Sequence, residues 1–426
     1  MDIVTASEHP SADNVLLAPL YKKFESRHGK RKAETLTLFA RRFFASSSHS
    51  ELARLPLKHV ADEVMQAWDF IQVHEGTAPR IGFSHPEGSG GHKDISDHGT
   101  VIHILVDDMP FLVDSVSQEL TGRGIAINAV YNAVYHTERS ATGALQKLAA
   151  AKTDTNRAEA LLCFHTSWLS EEEIAALHKS LEDILQHVAL AVQDYAPMAR
   201  HALEVREKLL AAPVPFSDEE LKESCEFIAW LVDNHFTFLG YEQYRISDTA
   251  KGKLMTLDEQ SLLGISRLKT SLKTRVMLKD VIEGAGALIL QKQLCSFAKS
   301  SSRSKIHRPG YYDYVLIKEF DAAGEVRVEH RFLGLYTSTV YFQRAAEIPL
   351  VRKKVKWVLE HSGFSPNGHS IKGLNQVINI LPRDELFQIT TEQLFNTAMQ
   401  INQIHERRRV RLFIRRDAYG NFFSCL

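Results

Sequence analysis

The sequence predicts an α+β protein: a ferredoxin-like βαββα module, then a second, mostly antiparallel α/β module, with helical segments leading in and out. Three observations carry this. Hydrophobic periodicity switches repeatedly between strand and helix spacing from about residue 100 to 195. A second alternating region fills about 218–345, and apolar residues fall at helical spacing before and after both. The expected organisation is a helical lead-in over 1–80, the first module over 81–197, and a helix and linker over 198–217. The second module then covers 218–347, a helical segment 348–406, and the start of a further domain 407–426.

In HVADEVMQAWDFIQ, Val60, Val64, Ala67, Trp68 and Ile71 share one helical face, within a stretch from about 12 to 76 that reads as helical. SHPEGSGGHKDISDH (85–99) is a loop or boundary. VIHILV (101–106) is a strand. In FLVDSVSQELT (111–121), Leu112, Val116 and Leu120 form a helix face, closed by Gly122 and Gly124. IAINAVYNAVYHTER alternates as a strand, 140–157 reads as a long hairpin loop with room for a helical piece, and LLCFHTSW is another strand. Ser170 and Glu173 form a capping box, opening a helix through Ile174, Leu177, Leu181, Leu185 and Val188. The order β-α-β-β-α, without a final local strand, is the plan of ACT modules.

Residues 198–212 are read as a helix, and PVPFSD as a linker with a helix cap. CEFIAWLVDN is a helix with Phe227, Trp230 and Leu231 inward, and FTFLGYEQYRI a strand. The 250–282 stretch is mixed, with a turn at LLGISRL. ALILQKQ, YDYVLIKEFD and EVRVEHRFLGLYT are three further strands, the last two joined by the turn DAAG. This module's plan is ACT-like or PAS-like; periodicity does not choose. IPLVRKKVKWVLEHSG is a helix with Pro349 near its first turn and Gly363 at its end. HSIKGLNQVINIL and TTEQLFNTAMQINQIHE are two more. VRLFIRRDAYGNFFSCL reads as a strand, a turn and the opening of a second strand, as if cut inside an element.

Lys and Arg total 51 against 52 Asp and Glu, so no global charge draws the chain to nucleic acid or membrane. The four cysteines, Cys163, Cys225, Cys295 and Cys425, are far apart and signal neither a zinc motif nor a disulfide framework. No secretory signal or membrane-spanning run is seen, and a cytoplasmic location is the expectation.

Searches for phosphate-binding, nucleophile-elbow, metalloprotease and dinucleotide motifs return nothing. The Gly cluster EGSGG (87–91) runs into more loop rather than a helix. Asp107 and Asp108, at a strand end before Met109 and Pro110, either cap the next helix or bind an amino group or metal. In an ACT plan this loop and the edge strand hold an amino-acid effector at a domain interface, which makes Asp107, Asp108, Gly124 and Asn128 the candidate effector-binding residues. PRDELF (382–387) reads as a turn and helix entry, with Arg383 paired to Glu385 or Asp384. The six arginines within 407–416 are expected on a solvated or inter-domain face, and no nucleic-acid partner is expected. His136, His165, His330 and His361 are read as surface or satisfied strand residues, and no metal site is expected.

The phrases LVDDMPFLVDSVSQEL, WLVDNHFTFLGYEQY, EHRFLGLYTSTVY, IPLVRKKV, LPRDELFQI and RRVRLFIRRDAYGNFFSCL, in order over about 80–426, resemble the N-terminal segment of the large bacterial NAD-specific glutamate dehydrogenases. The resemblance implies ACT-type modules and helical motifs ahead of a separate catalytic part that uses NAD. It implies no catalytic or cofactor-binding residue here, so this segment holds no cofactor of its own. The implied partners are the parent's C-terminal catalytic part, other subunits of a homo-oligomer and an amino-acid effector. A stand-alone amino-acid-sensing ACT-type protein is the alternative.

Overall fold

The computed structural model describes residues 10–46, 52, 55–85, 99–149, 151–211, 214–269, 274–280, 289–405, 412–416 and 422–425. The chain divides into two compact units, Met1–Val188 with Lys305–Arg308, and Ala189–Ser304 with Pro309–Leu426.

The first unit opens with helices α1 (Pro10–His28), α2 (Lys30–Phe43) and α3 (Leu57–Phe70). Gly29, at φ +77°, supplies the left-handed residue that separates α1 from α2. Then come β1 (Arg80–Ser84), β2 (Thr100–Asp107), α4 (Leu112–Gly122), β3 (Ile127–Arg139), β4 (Leu145–Ala149), β5 (Arg157–Thr166) and α5 (Glu171–Gln193). The strands form one antiparallel sheet in the order β1-β2-β5-β3-β4. The elements β2, α4, β3, β5 and α5 follow the expected β-α-β-β-α order, with one further strand, β4, inserted between β3 and β5. The sheet position beside β2, left open by that order, is filled by β1, which precedes β2 in the chain rather than following α5.

Two local readings change and a third holds. Residues 140–157 are not a long loop with a helical piece: β4 pairs with β3 from Leu145 to Ala149. Gly122 lies inside α4, and Gly124, at φ +76°, is the left-handed residue beyond it. Ser170 and Glu173 do form the capping box, with Ser170 N donating to Glu173 Oε2 at 2.8 Å and Glu173 N to Ser170 Oγ at 3.3 Å.

Strand alternation sends Val101, Leu105, Tyr131, Ala133, Tyr135, Leu161 and Cys163 to the face covered by the N-terminal helices. Phe39 stacks on Tyr135 at 4.8 Å between ring centroids, and the Tyr135 hydroxyl donates to the Phe39 carbonyl. Ile102, Ile104, Val106, Leu162 and Phe164 alternate to the other face and are also buried. On α4 and α5, linked by a 2.5 Å bond from Ser180 Oγ to Glu119, Val116, Leu120, Leu177 and Leu181 are buried. Burial on both faces explains the unbroken apolar run of β2, and each such side chain contributes roughly 1.5–3 kcal/mol.

The second unit begins with α6 (Tyr195–Ala211) and α7 (Asp218–Trp230), the latter entered through a Ser217–Glu220 capping box. Six strands follow: β6 (Phe236–Thr249), β7 (Gly252–Gly264), β8 (Arg275–Met277), β9 (Cys295–Arg303), β10 (Tyr311–Phe320) and β11 (Val326–Tyr336). They form a second antiparallel sheet in the order β8-β7-β6-β11-β10-β9. The turn at DAAG is formed, with Gly324 at φ +76°. The expected strand at ALILQKQ is not: its described residues, 289–293, lie outside any strand, and the strand that precedes β10 is β9, from Cys295. Within the stretch read as mixed, β7 is a thirteen-residue strand.

Five helices close the unit: α8 (Ser338–Phe342), α9 (Val351–His361), α10 (His369–Ile380), α11 (Arg383–Gln388) and α12 (Thr391–His405). Pro349 stands outside α9, which starts after Leu350, a residue at φ +67°. The strands β12 (Phe413–Arg416) and β13 (Phe422–Cys425) pair antiparallel; the turn expected between them lies outside the described residues. Among the described residues, no helix is long and apolar enough to cross a membrane.

Candidate functional site

The turn from β2 into α4 forms a shallow cleft of about 150 Å³ lined by Asp108, Met109, Phe111, Asp114 and Asn132 among others. Phe111 holds φ +73° at the head of α4, and no side chain caps that helix. A bulky residue in the left-handed region stores about 1–3 kcal/mol of strain. Ser115 Oγ donates to the Phe111 carbonyl at 2.6 Å and accepts from the His307 amide at 3.1 Å. The His307 ring packs 4.9 Å from that of Phe111. The cleft thus joins uncapped helix N–H groups, which attract a carboxylate, to the exposed carboxylates of Asp108 and Asp114, which attract an ammonium.

Of the four candidate effector residues, Asp108 lines this cleft. Asp107 is engaged instead by Arg157, whose Nε and Nη2 donate to Oδ1 at 3.1 and 2.5 Å. Neither aspartate caps α4, and Pro110 precedes the helix rather than sitting in its first turn. Gly124 and Asn128 are exposed at the far end of the sheet: Ile127 pairs with Thr166, whereas Asp107 pairs with Glu159 opposite Tyr135. Eight residues of strand separate those rungs, roughly 25 Å. Asn132 and Phe111 reach the cleft without having been singled out. Asn132 is exposed between the buried Tyr131 and Ala133 in the alternating part of β3; the Phe111 conformation has no sequence signal.

Next to the cleft lies a fully buried ion cluster. Glu159 accepts from His74 Nδ1 at 2.6 Å, Thr137 Oγ1 at 2.6 Å and Arg139 Nη2 at 2.7 Å, and Arg139 also donates to the carbonyls of Ile71 and Gly143. Burial alone would raise the Glu159 carboxyl, but the hydrogen bonds from His74, Arg139 and Thr137 outweigh it and hold it at about 2, below its ordinary 4.5. A depressed carboxyl stabilises the fold above its unfolded-state value and loses that contribution as pH falls toward the folded value. The first unit is therefore expected to lose about 3 kcal/mol between pH 4.5 and pH 2 from this group. Acid titration followed by hydrogen exchange of the 127–166 peptides checks it; a flat response over that window contradicts it.

A second cluster escaped motif reading because its members are 40 and 60 residues apart in sequence. Glu63 of α3 faces His103 of β2 and its cross-strand partner Cys163 of β5, with one donor atom from each within 4.8 Å of the others. Glu63 Oε1 accepts from Cys163 Sγ at 3.3 Å and from His165 Nε2 at 2.7 Å. His103 Nε2 is buried without a hydrogen-bond partner.

The remaining histidines differ in role. His330 is satisfied between the Tyr241 hydroxyl and Glu319, and His361 bonds the Trp357 carbonyl, whereas His136 Nδ1 is buried and unpartnered. In PRDELF, Arg383 pairs with neither acid. It donates to backbone carbonyls, while Asp384 pairs with Lys299 and Glu385 grips Arg415 through two 2.6 Å bonds. Arg407, Arg408, Arg409, Arg411 and EGSGG lie outside the described residues.

Residues 39–181 match the family model of the glutamate dehydrogenase ACT1 domain, and 348–407 match that of glutamate dehydrogenase helical motif 1. The first unit's sheet is thus the body of an ACT-type domain of the glutamate dehydrogenase class. NAD-specific glutamate dehydrogenases of Halomonas elongata and Pseudomonas aeruginosa are both 38% identical, over 96% and 93% of this chain but 26% and 25% of their own lengths. That of Mycobacterium tuberculosis is 26% identical over 78% of this chain and 20% of its own. The chain carries regions matching the glutamate dehydrogenase ACT1 and helical motif 1 models and is similar to an N-terminal segment of large NAD-specific glutamate dehydrogenases, spanning about a quarter of the length of the first two relatives.

Proposed function

We propose that this chain is the non-catalytic regulatory and assembly region of an NAD-dependent glutamate dehydrogenase. The parent converts L-glutamate, NAD and water to 2-oxoglutarate, ammonia and NADH, and its NAD site and catalytic residues belong to the parent's catalytic part. That part and further subunits are this region's partners. The observation that carries the reading is the ACT1 match over the sheet that ends in the β2–α4 cleft. There a free amino acid meets Asp108 through its ammonium and the uncapped amides of α4 through its carboxylate. Such an effector regulates only through different affinities for two states of the whole enzyme. The second unit supports a PAS-like rather than ACT-like plan, because β6 and β11, its first and last long strands, are neighbours mid-sheet.

Purified chain is expected to give no glutamate-dependent reduction of NAD, and NADH formation above a no-protein control overturns the reading. In a thermal-shift screen of L-amino acids, a ligand at one hundred times its Kd adds about 2.7 kcal/mol to the native state. At least one amino acid is expected to raise the melting temperature of the first unit.

A further inference from the structure

We propose that Glu63, His103 and Cys163 form a site for a single zinc ion inside the first unit, between α3 and the sheet. The ligand chemistry is the first argument. An imidazole nitrogen, a thiol sulfur and a carboxylate oxygen are donors that zinc takes together, whereas magnesium and calcium select oxygen. Geometry is the second. The three donor atoms lie within 4.8 Å of one another, and four-coordinate zinc, with bonds of roughly 2.0–2.3 Å, needs separations near 3.3–3.8 Å. Side-chain rotation of about an ångström closes that gap. The third is His103 itself, 4% exposed, whose Nε2 has no hydrogen-bond partner. A buried polar group left so costs about 1–3 kcal/mol, which a metal bond removes.

The surroundings are those of a metal centre. His165 Nε2 donates to Glu63 Oε1 at 2.7 Å and holds the carboxylate toward the cluster, as a positioning residue. The rings of Phe70 and Tyr131 pack at 5.3 and 5.5 Å from His103 and His165. Zinc takes cysteine as the thiolate, so binding displaces the Cys163 thiol proton. Binding forms Zn–S, Zn–N and Zn–O bonds, breaks the S–H bond and releases one proton to solvent. The thiolate and carboxylate together neutralise the cation. A water completes the fourth position.

The test uses the full chain, stripped with chelator and titrated with zinc or cobalt(II). The expected result is one equivalent bound, a thiolate-to-cobalt charge-transfer band, and a higher melting temperature with zinc. Cys163→Ser and His103→Gln are each expected to weaken binding by about 100-fold, the upper range seen even for outer-shell losses. Cys163→Ser also abolishes the band, and His165→Gln weakens binding about 10-fold with the band retained. Absence of the band in the wild-type chain, or its persistence in folded Cys163→Ser, overturns the proposal. If the variants do not fold, zinc-edge X-ray absorption of the wild type decides: one sulfur with nitrogen and oxygen neighbours supports the site, and a shell without sulfur overturns it.

Discussion

Replacing Glu159 by Gln is expected to destabilise the first unit by about 3–5 kcal/mol, the cost of leaving a buried charge without its partner. The two side chains in question, Glu159 and Arg139, are 0% and 5% exposed. Arg139 Nε donates to both carboxylate oxygens, Nη2 to Glu159 Oε2 and the Ile71 carbonyl, and Nη1 to the Gly143 carbonyl. Gln keeps the volume and one acceptor but cannot balance the guanidinium, and it turns a donor toward His74 or Arg139. The cluster ties residues 71–74, at the end of α3, to strands β3 and β5. Its loss should therefore loosen the helix layer and the cleft end of the sheet together. Denaturation followed by peptide-resolved hydrogen exchange is the appropriate readout, because it separates the two units. Exchange in 71–74 and 127–166 should accelerate while the second unit is unchanged, and the stability loss between pH 4.5 and pH 2 should flatten. A loss under about 1 kcal/mol would show that the pair contributes little beyond its own desolvation.

Arg383→Met is expected to destabilise the second unit by about 3 kcal/mol or more, from several charge-assisted bonds lost at once. Arg383 is 4% exposed and faces no carboxylate. Its guanidinium donates to the carbonyls of Asn379 and Leu381 at 2.9 Å, Gln343 at 3.0 Å and Val340 at 3.2 Å. Those carbonyls belong to the C-terminal ends of α8 and α10 and the residues just beyond them, where backbone oxygens lack intrahelical donors and a cation is favoured. Met fills the space and satisfies none of them. Lys restores charge but not the planar fork, so Arg383→Lys should recover less than half of the loss. Urea denaturation of the three chains checks the ranking; equal stability of Arg383→Met and wild type contradicts it.

Much of the fold was legible because the decisive elements are locally consistent. The β2 run, the α4 face of Leu112, Val116 and Leu120, the alternation of β3 and the two Ser–Glu capping boxes each point to a single conformation. What stayed hidden has physical reasons. β1 is five residues long and carries Gly82, where a Cβ would come within 2.6 Å of the Phe70 ring, so close packing removed the very residue type that marks a strand. β7 carries Asp258, Glu259 and Gln260 mid-strand, which blur its period. ALILQKQ has strand composition, yet pairing begins only at Cys295, where β9 meets β10.

The site was less legible than the fold. Asp108 was recognisable from its place at a strand end, but its neighbours Phe111 and Asn132 are set by a backbone twist and a strand face that no motif encodes. The roles of acidic residues also depend on partners distant in sequence. Asp107 meets Arg157 fifty residues on, and Glu385 meets Arg415 rather than its neighbour Arg383. The Glu63, His103 and Cys163 cluster is assembled by strand register, which local spacing cannot reveal.

The regulatory reading is tested most directly by calorimetric titration of L-amino acids into the wild-type chain and into Asp108→Asn. Asp108 is exposed, and the bond from its backbone N–H to the Ala158 carbonyl survives the substitution, so stability should be unchanged. The account predicts saturable binding of at least one amino acid to the wild type, weakened roughly 10-fold or more in Asp108→Asn, as loss of one charged partner of the ammonium implies. Binding of equal strength in both chains, or no binding of any amino acid at millimolar concentration, contradicts it.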